Sequence, residues 1–181
     1  MDIVKQAEDV ATAAHGNQMY GEIHPYSKHL KDMVDVLVRF GFTQPYMLAS
    51  GWLHDSVEDT QTTLVDINRL FGQQVADLVH RVTNEPGINR KERHLKTYPK
   101  IQASPDATTL KLADRIANVE YSIETEADQL NMYRKEYEGF KAALCQPGIH
   151  DAMWRHLDFL IGDTFDLDKE LKKMEKARGK K

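Results

Sequence analysis

Apolar positions recur at three- and four-residue intervals along most of this chain, and that spacing predicts helices. Ile3, Val4, Ala7, Val10, Ala11 and Ala14 form the first stripe, which closes at about Gly16. The stretch "QMYGEIHPY" interrupts the pattern with Gly21 and Pro25 and reads as a loop. "SKHLKDMVDVLVRFG" predicts a helix from Ser27 that stops at Gly41. In "QPYMLASGWLHDSVEDT" a proline near the start is followed by an almost wholly apolar run, so this helix should be central. "TTLVDINRLFG" starts on a threonine cap and ends at Gly72, and "QQVADLVHRVT" follows at once as a short helix. "EPGINRKERHLKTYPKI" is a basic loop running into a helix. "SPDATTLKLADRIANVEYS" opens with a serine cap and a proline in the first turn. Two further helices are expected over Asp128 to Leu144 and His150 to Ile161. No segment carries the alternation of a strand between hairpin turns, so the expected fold class is all-α.

Composition narrows the class. A chain of 181 residues suits one domain with a sizeable core, here 1–163, followed by a charged helix end and tail over 164–181. The net charge is −4, with no basic excess or stripe, which argues against a nucleic-acid partner. Cys145 is the single cysteine, so no disulfide framework or cysteine zinc site can form, and a reducing cytoplasmic setting fits. The N-terminus is charged from residue 2, and no run approaches the roughly 20 apolar residues of a membrane span, so neither a signal peptide nor a membrane is expected.

The chemistry concentrates in "GWLHDSVEDT". His54, Asp55, Glu58 and Asp59 stand directly after the apolar Trp52 and Leu53. Carboxylates beside a core repel one another and lose hydration, so a positive charge must answer them. On a helix, His54 and Glu58 are i,i+4 neighbours, as are Asp55 and Asp59, so all four could line one end of a pocket. A His-Asp pair alone means little, since chance supplies on the order of one per chain of this composition. His150-Asp151 follows Pro147 and Gly148 at a helix start, where an aspartate serves the helix end, and is read as structural. Distant partners for the first pair exist. His29 lies on the opening turn of the second helix. Asp114 lies on the apolar face of "LKLADRIANV", with Asn118 one turn later. Each alone has an ordinary reading: a surface histidine, a buried histidine with a partner, an acid in a helix ion pair. Together His29, His54, Asp55 and Asp114 would supply two nitrogens and two oxygens, a set that suits Mn²⁺, Fe²⁺, Zn²⁺ or Co²⁺.

The order His29, "LHDSVEDT", "KLADRIANV" resembles the HD-domain metal phosphohydrolases. More narrowly, it resembles the alarmone hydrolases: the hydrolase domain of Rel/SpoT proteins and the stand-alone small alarmone hydrolases. "HDSVEDT" matches that branch's signature throughout, and "TTLVDINRLFGQQVADLVHRVT" is similar to the stretch that follows it; the similarity runs from about His15 to Phe140. The resemblance implies a compact all-helical HD fold. It also implies hydrolytic removal of the 3′-pyrophosphate from (p)ppGpp-like nucleotides, usually with Mn²⁺. It places His29, His54, Asp55 and Asp114 on the metal, and Glu58 and Asp59 on the attacking water. Asn118 would meet the nucleotide sugar, Arg90 the phosphates, and Tyr133 the nucleotide pocket. Lys91 and Arg93 beside Arg90 would add charge for an anionic substrate.

The chain departs from that pattern in the loop before the first histidine. The family carries an Arg-Lys pair there, whose arginine packs on the base. This loop offers Met19, Tyr20 and His24, and no basic residue precedes Lys28; Leu30 follows His29 where the family has proline. Tyr20 would stack on a purine without reading its edge, so adenosine analogues are expected as substrates beside guanosine ones. Two alternatives stand beside the alarmone reading: an HD phosphohydrolase of another nucleotide, such as a 5′-nucleotide or dNTP, and an idle HD module that binds a nucleotide.

Overall fold

The computed structural model describes residues 2–162; the charged tail predicted over 164–181 lies outside the described residues. Helices dominate, as the spacing predicts: α1 (Ile3–His15), α2 (Ser27–Arg39), α3 (Pro45–Leu53), α4 (Ser56–Asp59), α5 (Leu64–Phe71), α6 (Gln73–Val82), α7 (Arg90–Gln102), α8 (Pro105–Glu124) and α9 (Gln129–Leu144). A further helical run, α10, covers 151–162. The chain divides into two compact units between Asn118 and Val119.

In the first unit α3 is the centre. Met47, Ala49, Ser50, Gly51, Trp52 and Leu53 are all buried, so the helix has no solvent face to speak of, and α1, α2 and α6 pack around it. Ala7, Ala11, Leu30, Val34, Ile67, Phe71, Val75 and Val79 complete this core. Gly51 sets the distance between α2 and α3. A Cβ there would stand 3.0 Å from Leu37 Cδ1 and 3.1 Å from Val34 Cγ2. The missing side chain is what lets α2, which carries His29, lie against the helix that ends at His54.

Capping chemistry fixes the neighbouring elements. Thr63 and Asp66 form a reciprocal capping box at the start of α5. Gly41, at φ +86°, follows the end of α2 in the left-handed conformation. Ser104 Oγ accepts the Ala107 amide (3.3 Å) at the start of α8.

Two expectations need correction. The predicted loop before His29 holds a minimal antiparallel hairpin, β1 (Met19–Tyr20) and β2 (His24–Pro25), with Gly21 at φ +63° in its turn. Two residues per strand are too few to register an alternation. The predicted continuous helix through "HDSVEDT" is broken at His54–Asp55, between α3 and α4. The His54 ring bonds the Gly51 carbonyl (Nδ1 to O 2.8 Å), the acceptor that a continuing helix would use for the Asp55 amide.

The second unit, described by itself, packs Val119, Tyr137, Phe140, Leu144, Met153, Trp154, Leu157 and Ile161. The Phe140 and Trp154 rings meet at 5.6 Å. A polar tie joins α9 to α10: Tyr137 Oη and Lys141 Nζ both donate to Asp158 Oδ1, the latter at 2.6 Å.

Candidate metal centre

Four ligand-type atoms converge where α2, the end of α3 and α8 meet. His29 Nε2 lies 3.3 Å from His54 Nε2, 3.4 Å from Asp55 Oδ2 and 3.5 Å from Asp114 Oδ1. His54 Nε2 lies 2.9 Å from Asp55 Oδ2 and 3.9 Å from Asp114 Oδ1. Donors held about 2.1 Å from one ion stand roughly 3.0–3.4 Å from each other in octahedral or tetrahedral arrangement. The observed spacings bracket that range, and His29, His54 and Asp55 form a cluster able to hold a divalent cation. Both histidines are almost wholly buried. The two ring nitrogens, 3.3 Å apart, can satisfy each other as one donor and one acceptor, and a cation shared between them would satisfy both in another way.

Surrounding groups aim these ligands. His54 Nδ1 donates to the Gly51 carbonyl, which leaves Nε2 turned toward the carboxylates. Tyr26 Oη donates to Asp55 Oδ2 at 2.6 Å. Burial, followed by the Asp55 charge, pushes the Tyr26 phenol far up, so it remains a donor. Asn118 Nδ2 donates to Asp114 Oδ1 at 2.6 Å, and Lys111 Nζ pairs with Asp114 Oδ2 at 2.8 Å. Burial opposes charge on Lys111, but Asp114 outweighs it and holds the ammonium above its ordinary value.

The electrostatics answers the opening problem of clustered acids. Burial raises Asp55 and Asp114, yet the neighbouring charges win. His54 and His29 bring Asp55 well below the usual carboxylate range, and Lys111, His54 and His29 bring Asp114 to about 2. Burial lowers His54, but Asp55 and then Asp114 lift it to about 9. A proton on His54 and the Lys111 ammonium together offset the two carboxylates, and a divalent cation would add to that charge.

The remaining predicted site residues fall as follows. Glu58 and Asp59 are exposed on α4, and each carboxylate has its own holder. Asn84 gives its main-chain amide to Glu58 Oε1 (2.7 Å) and its Nδ2 to Oε2 (3.0 Å). Gln18 Nε2 donates to Asp59 Oδ2 (3.2 Å), while Gln18 Oε1 accepts from His15 Nδ1 (2.8 Å). His15 in turn stacks on Tyr26, ring centres 4.5 Å apart. Tyr20 and Asn118 meet each other, Oη to Oδ1 at 3.1 Å, and the Tyr20 ring packs on His29 at 5.0 Å. Arg90, Lys91 and Arg93 share the opening turn of α7, which Asn89 caps. Tyr133 lies on α9, in the second unit. His150 stands at φ +60° immediately before α10, and the Trp154 amide bonds its carbonyl (3.0 Å), as expected of a residue that starts a helix.

Sequence reasoning missed Tyr26, Lys111, Asn84, Gln18 and His15. Lys111 carried a signal, a lysine three residues before an acid on an apolar helix face. The others reach the site through tertiary contacts that no local spacing encodes.

Comparison with known proteins identifies the family of the chain. A family model described as "HD domain" matches residues 7–140. The mouse guanosine-3′,5′-bis(diphosphate) 3′-pyrophosphohydrolase MESH1 is 35% identical over 120 residues, 63% of this chain and 66% of the mouse protein. An Aquifex aeolicus guanosine-3′,5′-bis(diphosphate) 3′-pyrophosphohydrolase is 33% identical over 64% of this chain, and the match spans 17% of that longer protein. A solved structure of a metazoan SpoT ortholog, reported to hydrolyse ppGpp, superimposes with a TM-score of 0.79 over 91% of this chain and 96% of its own, at 24% identity, and shows the same fold. The chain therefore belongs to the HD-domain family.

Proposed function

We propose that this protein is a divalent-metal-dependent hydrolase that removes the 3′-pyrophosphate of (p)ppGpp-like nucleotides, with Mn²⁺ as its ion. The observation that carries the reading is the convergence of His29, His54, Asp55 and Asp114, with the acidic pair Glu58-Asp59 following Asp55 on the short helix α4. The names of its relatives in mouse and Aquifex aeolicus supply the substrate class.

His29 Nε2, His54 Nε2, Asp55 Oδ2 and Asp114 Oδ1 would hold the ion. Imidazole nitrogens mixed with carboxylate oxygens suit Mn²⁺ as well as its first-row neighbours. Once bound, the ion acidifies water and offsets phosphoryl charge. The protein's own groups do the rest. The Glu58 carboxylate takes a proton from the attacking water, and Asp59 orients it. The oxygen of that water forms a bond to the phosphorus attached to the 3′-oxygen. The bond between that phosphorus and the 3′-oxygen breaks, and the 3′-oxygen gains a proton to become a hydroxyl. The products are pyrophosphate and a nucleotide with a free 3′-hydroxyl. Arg90, Lys91 and Arg93 hold the anionic 3′-group and the departing pyrophosphate. Asn118 and Tyr20 meet the sugar and base. The substrate is a small nucleotide in the cytoplasm, with neither nucleic acid nor membrane as partner; no helix among the described residues is long and apolar enough to cross a membrane.

The test is a nucleotide panel incubated with the protein and Mn²⁺, with products separated by ion exchange. ppGpp and ppApp should both lose pyrophosphate, with kcat/KM values within about 1–2 kcal/mol of each other, because stacking and apolar contacts discriminate only on that scale. Turnover of dNTPs or 5′-nucleotides in place of 3′-pyrophosphates would move the protein to another HD activity.

A further inference from the structure

Glu58 is exposed on a helix of four residues, yet its carboxylate is gripped on both oxygens. The grip comes from one residue 26 positions away. Asn84 places its main-chain amide 2.7 Å from Oε1 and its side-chain amide 3.0 Å from Oε2. Only a donor can face a carboxylate, so this contact fixes the orientation of the Asn84 amide group. Its Oδ1 is thereby turned into a buried position where it has no hydrogen-bond partner. An unpaired buried acceptor is a cost that a residue serving packing alone would avoid.

The residues after Asn84 are tied to α7. The Glu85 amide donates to Thr97 Oγ1 (2.9 Å), and Glu85 Oε1 pairs with Lys100 Nζ (2.5 Å). Lys96 Nζ donates to the Pro86 carbonyl (2.9 Å). Gly87 lies so close to the helix start that a Cβ there would stand 2.9 Å from the Arg93 amide nitrogen. The segment 84–87 thus joins the Glu58 carboxylate to the helix whose first turn carries Arg90, Lys91 and Arg93.

We propose that Asn84 is a positioning residue for Glu58, and that segment 84–87 holds this carboxylate in register with the basic turn of α7. The inference rests on the functional reading for its catalytic consequence and on geometry alone for the clamp. An exposed glutamate samples several rotamers, and only some would place a carboxylate on the attacking water. Two charge-assisted hydrogen bonds select one of them before substrate arrives.

The test has a structural and a kinetic arm. In a crystal structure of Asn84→Ala, the Glu58 carboxylate should leave its position or become multiply placed; a Glu58 that stays put overturns the clamp. With ppGpp and Mn²⁺, Asn84→Ala and Asn84→Asp should each lower kcat about tenfold or more while KM and bound metal stay at the parent level. Asn84→Asp keeps the size and the main-chain amide but sets a charged oxygen against the Glu58 carboxylate in place of the second donor, so it opposes the clamp without opening space. In a Glu58→Gln background, Asn84→Ala should cause no further loss. An additive loss, a parent-like kcat in Asn84→Asp, or an effect confined to KM overturns the proposal. A parent protein inert toward every 3′-pyrophosphate nucleotide refutes the functional reading instead, and the position of Glu58 in Asn84→Ala still decides the clamp.

Discussion

His54 shows how much of the site a single residue organises. Its Nδ1 holds the Gly51 carbonyl, its Nε2 faces Asp55, and the same ring marks the break between α3 and α4. Removing it takes away a proposed ligand, and removing Asp55 takes away another. His54→Ala and Asp55→Ala should each lose bound metal and activity together, as read by elemental analysis and turnover, whereas His150→Ala should keep both. Full metal occupancy in an active Asp55→Ala protein would contradict the ligand set. Glu58→Gln separates the two roles. It preserves shape and removes a base, so metal content should stay while turnover falls by roughly 10²-fold or more; parent-level turnover would remove Glu58 from water activation. His54 and Asp55 were legible because a polar pair interrupts an apolar run, and Asp114 because an acid sat on an apolar helix face. Tyr26 and Asn84 were not, since their partners lie 29 and 26 residues away. Only the folded chain pairs them.

Among the elements, α2 and α3 determine whether the ligands meet at all. Gly51 is the contact point, and any side chain there must displace Leu37 and Val34. Gly51→Ala should destabilise the protein by about 1–3 kcal/mol in denaturant unfolding, the usual cost of overpacking, and weaken metal binding in step. An unchanged midpoint would show that the two helices can part without strain. In the second unit, α9 and α10 are joined through Asp158. Burial raises this carboxyl, but bonds from Lys141 and then Tyr137 prevail and leave it below its ordinary value. Its contribution to stability is therefore full above the unfolded value of about 3.9 and fades as pH falls through the lower folded value. Asp158→Asn should flatten the acid limb of stability against pH in that window and lower stability at neutral pH; an identical acid limb would contradict the pairing. The helices were readable from periodicity and caps, with the Thr63 cap and the Gly72 stop as expected. The break at His54–Asp55 was not, because a side chain competing for a backbone carbonyl leaves the hydrophobic pattern unchanged.

At the scale of the molecule, a net charge of −4 coexists with three basic residues, Arg90, Lys91 and Arg93, in the opening turn of α7. That distribution suits a small polyanion held at one point. In the proposed function this turn, the four ligand atoms and the acidic pair act in one reaction on a 3′-pyrophosphate. The most direct measurement is a ³¹P NMR time course of ppGpp with the protein, run with Mn²⁺ at catalytic level, with a chelator, and with Asp55→Ala in place of the parent. Pyrophosphate and GDP should accumulate in equal amounts with the parent and Mn²⁺ only. Loss of phosphate from the 5′ side, or equal pyrophosphate release in chelator or by Asp55→Ala, would contradict it.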